Sequence, residues 1–165
     1  MSRVAGDRAD EAVAAVWRKV LPDEASLQAL AAQFAKGVQA PLVVYLRGDL
    51  GAGKTTFARA YVHALGFSGY VKSPSYGLLE TYPLGSQTVL HLDLYRIEDP
   101  EELEFLALRD LFDDASVLLV EWPDRGGSAL PSPDLVLNFG ESDGRRHLDC
   151  TACSAKGRAL AGSLR

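Results

Sequence analysis

The feature that most constrains this chain is a glycine-rich segment at residues 48–55, which reads GDLGAGKT. It fits the pattern G-x-x-x-x-G-K-[ST], in which glycines let the backbone turn so that its N–H groups point inward and bind phosphate oxygens. The apolar run LVVYL precedes the segment, and residues 54–65 suit a helix that ends at Gly66. A strand, a phosphate-binding loop and a helix in this order predict an α/β P-loop nucleotide-binding fold.

The rest of the sequence predicts a mixed central sheet, parallel and antiparallel, flanked by helices. No internal repeat or long linker interrupts the 165 residues, so we expect a single domain spanning residues 1–165, with 1–14 as a frayed extension or a short helix. Apolar runs and alternation predict strands near 15–21, 77–82, 87–94, 116–120, 134–139 and 145–151, with turns at 83–86 and 141–144. Helices are predicted over 23–36, after Asp99 with Leu103, Leu106 and Ala107 on one face, and in the last residues.

Composition argues against several classes of protein. The chain has 17 basic and 22 acidic residues and a net charge of −5, whereas proteins that bind nucleic acid alone usually have a basic surplus. No apolar run approaches the ~20 residues of a membrane helix, and the N-terminus lacks the apolar core of a signal peptide. Cys150 and Cys153 form no disulfide framework, and we expect inert thiols. These features favour a cytoplasmic protein that does not bind membranes.

The loop predicts which residues bind phosphate and metal. Lys54 is expected to reach the β- and γ-phosphates, and Thr55 to place its hydroxyl on Mg²⁺. The metal also needs an acidic partner, normally at the end of a buried strand. Glu121 follows the run SVLLV, and Asp93 lies near the end of TVLHLDL. Spacing leaves open which carboxylate holds the metal and which orients the attacking water.

Three classes of P-loop protein remain open from the residues alone. A GTPase would be expected to carry an Asn-Lys-x-Asp motif that reads guanine, and its absence favours ATP. A small-molecule kinase would need an arginine-bearing lid, for which Arg96, Arg109 and Arg125 are candidates, although no segment marks a lid. Besides the kinase, the classes that remain open are an ATPase that works with partners and an ATP sensor that does not hydrolyse ATP.

Four segments in order make the chain resemble the TsaE family, P-loop ATPases of bacterial tRNA threonylcarbamoyladenosine biosynthesis. They are GDLGAGKTT at 48–56, SPSY at 73–76, HLDLYR at 91–96 before an acidic helix, and EWP at 121–123. The family usually has Ser-Pro-Thr-Phe in the second segment, so Ser75 and Tyr76 depart from the pattern. The resemblance covers about residues 23–123.

The resemblance implies a fold, a reaction and partners. It implies a mixed-sheet α/β domain that binds ATP and Mg²⁺ and hydrolyses ATP weakly when alone. Hydrolysis would support repeated rounds of modification by the TsaB–TsaD threonylcarbamoyl-transferase complex, with tRNA contacted only indirectly. By position, the catalytic residues would be Lys54, Asp93 and Glu121, and the metal-binding residues Thr55, Asp93 and Glu121. The nucleotide-binding residues would be Asp49, Leu50, Gly51, Ala52, Gly53, Lys54, Thr55, Thr56 and Trp122.

Other features have open roles. Residues 73–76 resemble a switch-type loop near the γ-phosphate. His91 shares a strand face with Asp93, and either bonds that carboxylate or a phosphate, or is structural. Trp122 either stacks on adenine, contacts a partner or packs in the interior. Residues 91–114 carry nine acids and two bases, typical of a solvated helix face or of a docking surface for a basic partner.

Overall fold

A seven-stranded mixed sheet forms the centre of the computed structural model, which describes residues 16–74 and 78–165. The predictions for residues 1–14, Ser75 and Tyr76 lie outside these ranges. The strands are β1 (Trp17–Val20), β2 (Leu42–Arg47), β3 (Leu79–Leu84), β4 (Gln87–Asp93), β5 (Ser116–Glu121), β6 (Leu135–Ser142) and β7 (Arg145–Ala152). Their order across the sheet is β1-β7-β6-β2-β5-β4-β3.

The sheet has a parallel centre and antiparallel margins. Strands β6, β2, β5 and β4 run parallel to one another, whereas β7 and β1 at one end and β3 at the other are antiparallel to their neighbours. The predicted apolar runs became the central strands β2 and β5, which are buried on both faces as continuous apolar strands should be. The predicted fold class is confirmed.

Helices cover both faces of the sheet. The α-helices are α1 (Glu24–Gly37), α2 (Lys54–Ala64), α3 (Leu108–Leu111) and α4 (Ala155–Ser163). Val44 and Leu46 of β2 pack toward α1, α2 and α4, while Val43 and Tyr45 pack in a second core with Leu103 and other residues of the 98–130 region. Because side chains alternate along a strand, each central strand contributes to both cores.

Two local predictions are wrong in detail. The segment that starts at N-cap Asp99 is a 3-10 helix, Pro100–Leu106, and Ala107 is an exposed residue at φ +50° rather than part of its buried face. A left-handed residue interrupts the helical hydrogen bonds, so α3 begins as a separate turn. Strand β3 continues through Pro83, and the turn is 85–86 with Gly85 at φ +63°. Proline is tolerated there because β3 is an edge strand.

The two cysteines are separate thiols. Cys150 is fully buried in β7, where burial raises the pKa of its thiol to about 12, and Cys153 is exposed beyond the end of that strand. A thiol with so high a pKa is rarely a thiolate, which is the reactive form. Separately, no helix within the described ranges has the length and apolar character needed to cross a membrane.

Candidate functional site

The predicted site residues converge where the parallel strands end. The loop at residues 48–53 leaves the carboxyl end of β2 and leads into α2. Leu46 is paired in register with Glu121, and Glu121 with Asp93, so the ends of β2, β5 and β4 are neighbours. Clefts at the carboxyl ends of parallel strands are the usual ligand sites of open α/β sheets.

Backbone conformations that favour glycine shape the loop. Gly48, Gly51 and Gly53 have φ angles of +150°, +75° and +114°. A β-carbon at Gly48 would also lie 2.7 Å from the carbonyl oxygen of Phe139. Gly53 is the N-cap of α2 and provides no capping side chain, so the first N–H groups of this helix lack the acceptor that a capping serine or aspartate supplies. Such a helix start is suited to bind an anion.

Lys54 is buried at the base of the loop. Its Nζ donates hydrogen bonds to the carbonyl oxygens of Gly48 (2.5 Å) and Asp49 (2.7 Å). Burial lowers the pKa of Lys54, and the negative charges of Glu121 and Asp93 oppose this effect. When it is protonated, Lys54 places a cation inside the loop with neutral carbonyls as its described hydrogen-bond acceptors, and phosphate oxygens are stronger acceptors than carbonyls.

Thr55 and Glu121 are in direct contact. The Thr55 hydroxyl lies 2.9 Å from Oε1 and 3.1 Å from Oε2 of Glu121. Because an ionised carboxylate only accepts, the hydroxyl must donate its proton to Glu121. The lone pairs of the Thr55 oxygen are then not used by this contact. A hydroxyl oxygen with available lone pairs beside a carboxylate is a donor set that suits Mg²⁺.

Asp93 is the second carboxylate of the site. It is 6% exposed, and its Oδ1 accepts the backbone N–H of Tyr95 at 3.0 Å. Burial raises the pKa of Asp93, with the Tyr95 hydrogen bond opposing the shift and the charge of Glu121 adding to it. For His91 the sequence left open a bond to this carboxylate or to a phosphate, or a structural role; its Nε2 lies 2.7 Å from Oε2 of Glu121, the other carboxylate of the site.

Trp122 stands beside Lys54 in a left-handed conformation, φ +57°. Its ring centroid lies 4.6 Å from the Lys54 Nζ and 5.2 Å from the ring centroid of Tyr95. The half-buried indole therefore forms the wall next to the lysine, with a cation–π contact, and is neither fully exposed nor fully buried.

A cavity of about 310 Å³ joins these groups. Every predicted site residue lines it except Asp49, whose carbonyl accepts from Lys54. The sequence did not predict the opposite wall, built from the start of α1 and from β7. No motif marks these residues, because tertiary packing of the 21–27 segment and of β7 brings them to the cavity; they include Leu21, Asp23, Leu27, Arg146 and His147.

The fold and the loop together define a P-loop nucleotide-binding protein. A central parallel strand leads through a phosphate-binding loop into a helix, and the loop lysine and threonine face two strand-end carboxylates. The family model described as "Threonylcarbamoyl adenosine biosynthesis protein TsaE" matches residues 21–148. This chain belongs to the TsaE family.

Known relatives agree with this assignment. The tRNA threonylcarbamoyladenosine biosynthesis protein TsaE of Haemophilus influenzae is 40% identical over 145 residues, 85% of this chain and 92% of that protein. Its Bacillus subtilis namesake is 38% identical over 138 residues, 82% of this chain and 84% of that protein. The crystal structure of Bacillus subtilis YdiB matches with a TM-score of 0.73 and 30% identity, covering 90% and 91% of the two chains. The predicted family and its pathway, tRNA threonylcarbamoyladenosine biosynthesis, are confirmed.

Proposed function

We propose that this protein binds ATP with Mg²⁺ and hydrolyses ATP to support threonylcarbamoyladenosine formation by a TsaB–TsaD complex. The observation that carries the proposal is the direct contact of Thr55 with Glu121 beside Lys54 and Asp93, in one cavity at the end of β2. These four side chains supply the phosphate, metal and water contacts that P-loop hydrolysis requires.

The loop and α2 would bind the phosphates. The loop N–H groups and the first turn of α2 offer donors and a positive helix end, and Lys54 offers a charge for the β- and γ-phosphate oxygens. Trp122 covers the lysine from one side. We assign nucleotide contacts to the loop, residues 49–56, and to Trp122.

The contacts suggest different roles for the two carboxylates. Glu121 bonds Thr55, so we assign both residues to the metal side of the site. Bound Mg²⁺ neutralises charge on the phosphates. Asp93 bonds the backbone of Tyr95 through one oxygen, and we assign it to the attacking water, for which a buried carboxylate of raised pKa can act as a base.

Partners are expected to complete the reaction. P-loop enzymes often need charge supplied by a second protein, so hydrolysis by the chain alone should be slow. A net charge of −5 disfavours direct tRNA binding, which we assign to TsaB and TsaD. The acids of the 98–114 segment are all exposed, which is compatible with either a solvated face or a basic partner. Work on tRNA with these partners would take place in the cytoplasm.

The test is ATP hydrolysis by the protein alone and with purified TsaB and TsaD. We expect strong stimulation that Lys54→Ala removes and that Lys36→Ala, an exposed lysine at the end of α1, retains. No stimulation, despite complex formation and bound ATP, would contradict the proposal. It would favour a stand-alone small-molecule kinase or an ATP sensor, and a metabolite screen for phosphorylated products would separate these two.

A further inference from the structure

His91 makes a buried polar contact beside the proposed site. It lies on β4 two residues before Asp93 and is fully buried. Its Cα partner on β5 is Leu119, so Glu121 is one step further along the same face of the neighbouring strand. The imidazole Nε2 lies 2.7 Å from Oε2 of Glu121, and the Nδ1 has no hydrogen-bond partner within the described residues.

The direction of this hydrogen bond follows from the chemistry of the two groups. An ionised carboxylate has no proton to donate, so Nε2 of His91 must carry the hydrogen. Glu121 is only 2% exposed, and a carboxylate shielded from water needs protein donors in its place. Within residues 16–74 and 78–165, two side chains are recorded as donors to it: the Thr55 hydroxyl from the side of α2, and the His91 imidazole from within the sheet.

The two donors do not hold Glu121 equally well. Thr55 shares one hydrogen between both carboxylate oxygens, at 2.9 and 3.1 Å. This contact alone does not fix the rotation of the carboxylate. His91 bonds one oxygen at a shorter distance from a rigid ring that packing fixes in place. The ring therefore selects which oxygen faces the sheet and which side of the carboxylate faces Thr55.

We propose that His91 is a positioning residue, which fixes the Glu121 carboxylate against Thr55 and thereby shapes the metal side of the site. This inference rests on the proposed role of Glu121. Without the imidazole, Glu121 keeps the Thr55 hydroxyl, and the positive charge of Lys54 can draw the carboxylate away from the metal side. The loop and Lys54 are untouched, so the loss falls on turnover and on the Mg²⁺ requirement, while the KM for ATP changes little when Mg²⁺ is saturating.

The first experiment tests the contact without nucleotide or partner. The chain has three histidines, so imidazole ¹⁵N resonances can be assigned by replacing each one. We expect the Nε2 of His91 to be protonated, with a resonance that shifts in Glu121→Ala. An unprotonated Nε2, or a chemical shift that is the same in Glu121→Ala as in the unmodified protein, would overturn the proposal.

The second experiment compares His91→Gln with His91→Asn. Glutamine places an amide nitrogen near the position of the imidazole Nε2, whereas the asparagine side chain is too short to reach Glu121. We expect His91→Asn to lower kcat about 10- to 100-fold, as is typical when support for a metal ligand is lost, and to raise the Mg²⁺ concentration for half-maximal rate. We expect His91→Gln to recover most of both. The control is Ser116→Ala, which removes a buried hydroxyl at the far end of β5.

The outcomes separate this inference from the proposed function. Equal turnover in His91→Asn, His91→Gln and the unmodified protein would overturn the positioning role. The role would also be overturned if both variants lost turnover equally and the loss matched their lower melting temperatures, because replacement of a purely structural residue would have that effect. No turnover in the unmodified protein would contradict the proposed function instead. The readout would then be the binding of a fluorescent ATP analogue at a series of Mg²⁺ concentrations. We expect His91→Asn to need more Mg²⁺ for half-maximal binding, and His91→Gln to need about as much as the unmodified protein.

Discussion

Asp93→Asn is expected to stabilise the nucleotide-free protein while it abolishes ATP hydrolysis. Asp93 is 6% exposed, and burial raises its pKa because the charged form loses water. Asparagine has almost the same shape, and its amide oxygen can still accept the Tyr95 N–H that Asp93 binds at 3.0 Å. The substitution therefore removes a desolvated charge, and its repulsion with Glu121, at little cost in contacts.

The size of the gain follows from opposing terms at this position. An uncompensated buried carboxylate costs several kcal/mol. The hydrogen bond from Tyr95 to a charged acceptor offsets about 1.5 to 3 kcal/mol of this, and the nearby charge of Lys54 offsets more. We expect the remainder, about 1 to 2 kcal/mol, to appear as a higher free energy of unfolding. For a chain of this size it corresponds to roughly 2 to 8 °C in melting temperature.

The gain must depend on pH. Because the pKa of Asp93 is higher in the folded protein than in the unfolded chain, the cost is present in full above the folded pKa. It is relieved as the pH falls through that value toward about 3.9, the ordinary pKa of aspartate. Asp93→Asn should therefore be more stable than the unmodified protein at neutral pH, and the difference should shrink in acid.

Urea unfolding at a series of pH values, without nucleotide or Mg²⁺, measures this difference. Asp110→Asn is the matched control, because Asp110 is exposed on α3 and its replacement should change stability by less than about 0.5 kcal/mol at any pH. An Asp93→Asn protein no more stable than the unmodified one at neutral pH would refute the reasoning. A gain that did not change with pH would refute it as well.

Three further sets of substitutions test other parts of the structure by their effect on urea unfolding. Gly48→Ala should lower the free energy of unfolding by more than about 2 kcal/mol, because φ is +150° and the new methyl meets a backbone carbonyl of β6 at 2.7 Å. Gly51→Ala has open space around it and should lower the free energy of unfolding by only ~1 kcal/mol, the cost of its left-handed φ. A double-mutant cycle with Lys54→Met and Trp122→Leu should give a coupling of about 0.5 to 2 kcal/mol, and a value near zero would contradict the cation–π contact. Asp134→Ala should cost about 2 to 3 kcal/mol, because a backbone N–H of β2 and the Ser154 hydroxyl lose their acceptor, and Asp134→Asn should lose less.

The elements that sequence alone predicted well are those with local signals. The loop at 48–55 is specified by glycines whose conformations other residues rarely adopt. The runs LVVYL and SVLLV became β2 and β5, because a strand buried on both faces needs apolar side chains at every position. The alternation in β4 also holds: Val89 packs in one core, and Leu90 and Leu92 in the other.

Non-local pairing explains what the sequence did not predict. The face shared by His91 and Asp93 was visible in one strand, but the partner of His91 lies on β5 and depends on the parallel register. The cavity wall formed by Arg146 and His147 depends on the return of β7 beside β6. The helix after Asp99 had correct capping signals, yet the conformation of Ala107 ends it early. Capping residues determine where a helix starts and carry little information about its type or length.

The charges around the cavity couple the binding of the metal to that of the nucleotide. Lys54 contributes one positive charge, whereas Asp93 and Glu121 contribute two negative charges once ionised, so the lining of the phosphate end carries a negative balance. A polyphosphate that enters without a metal is repelled by both carboxylates. A divalent cation bound between the phosphates and the carboxylates attracts both, so the net interaction becomes favourable. Binding of ATP and of Mg²⁺ should therefore be strongly coupled. Asp93→Asn should relax this coupling, so that the variant binds ATP without Mg²⁺ more tightly than the unmodified protein does. Equal metal-free affinities in equilibrium titrations would show that the carboxylates do not act on the phosphates, and would argue against the proposed placement of the nucleotide.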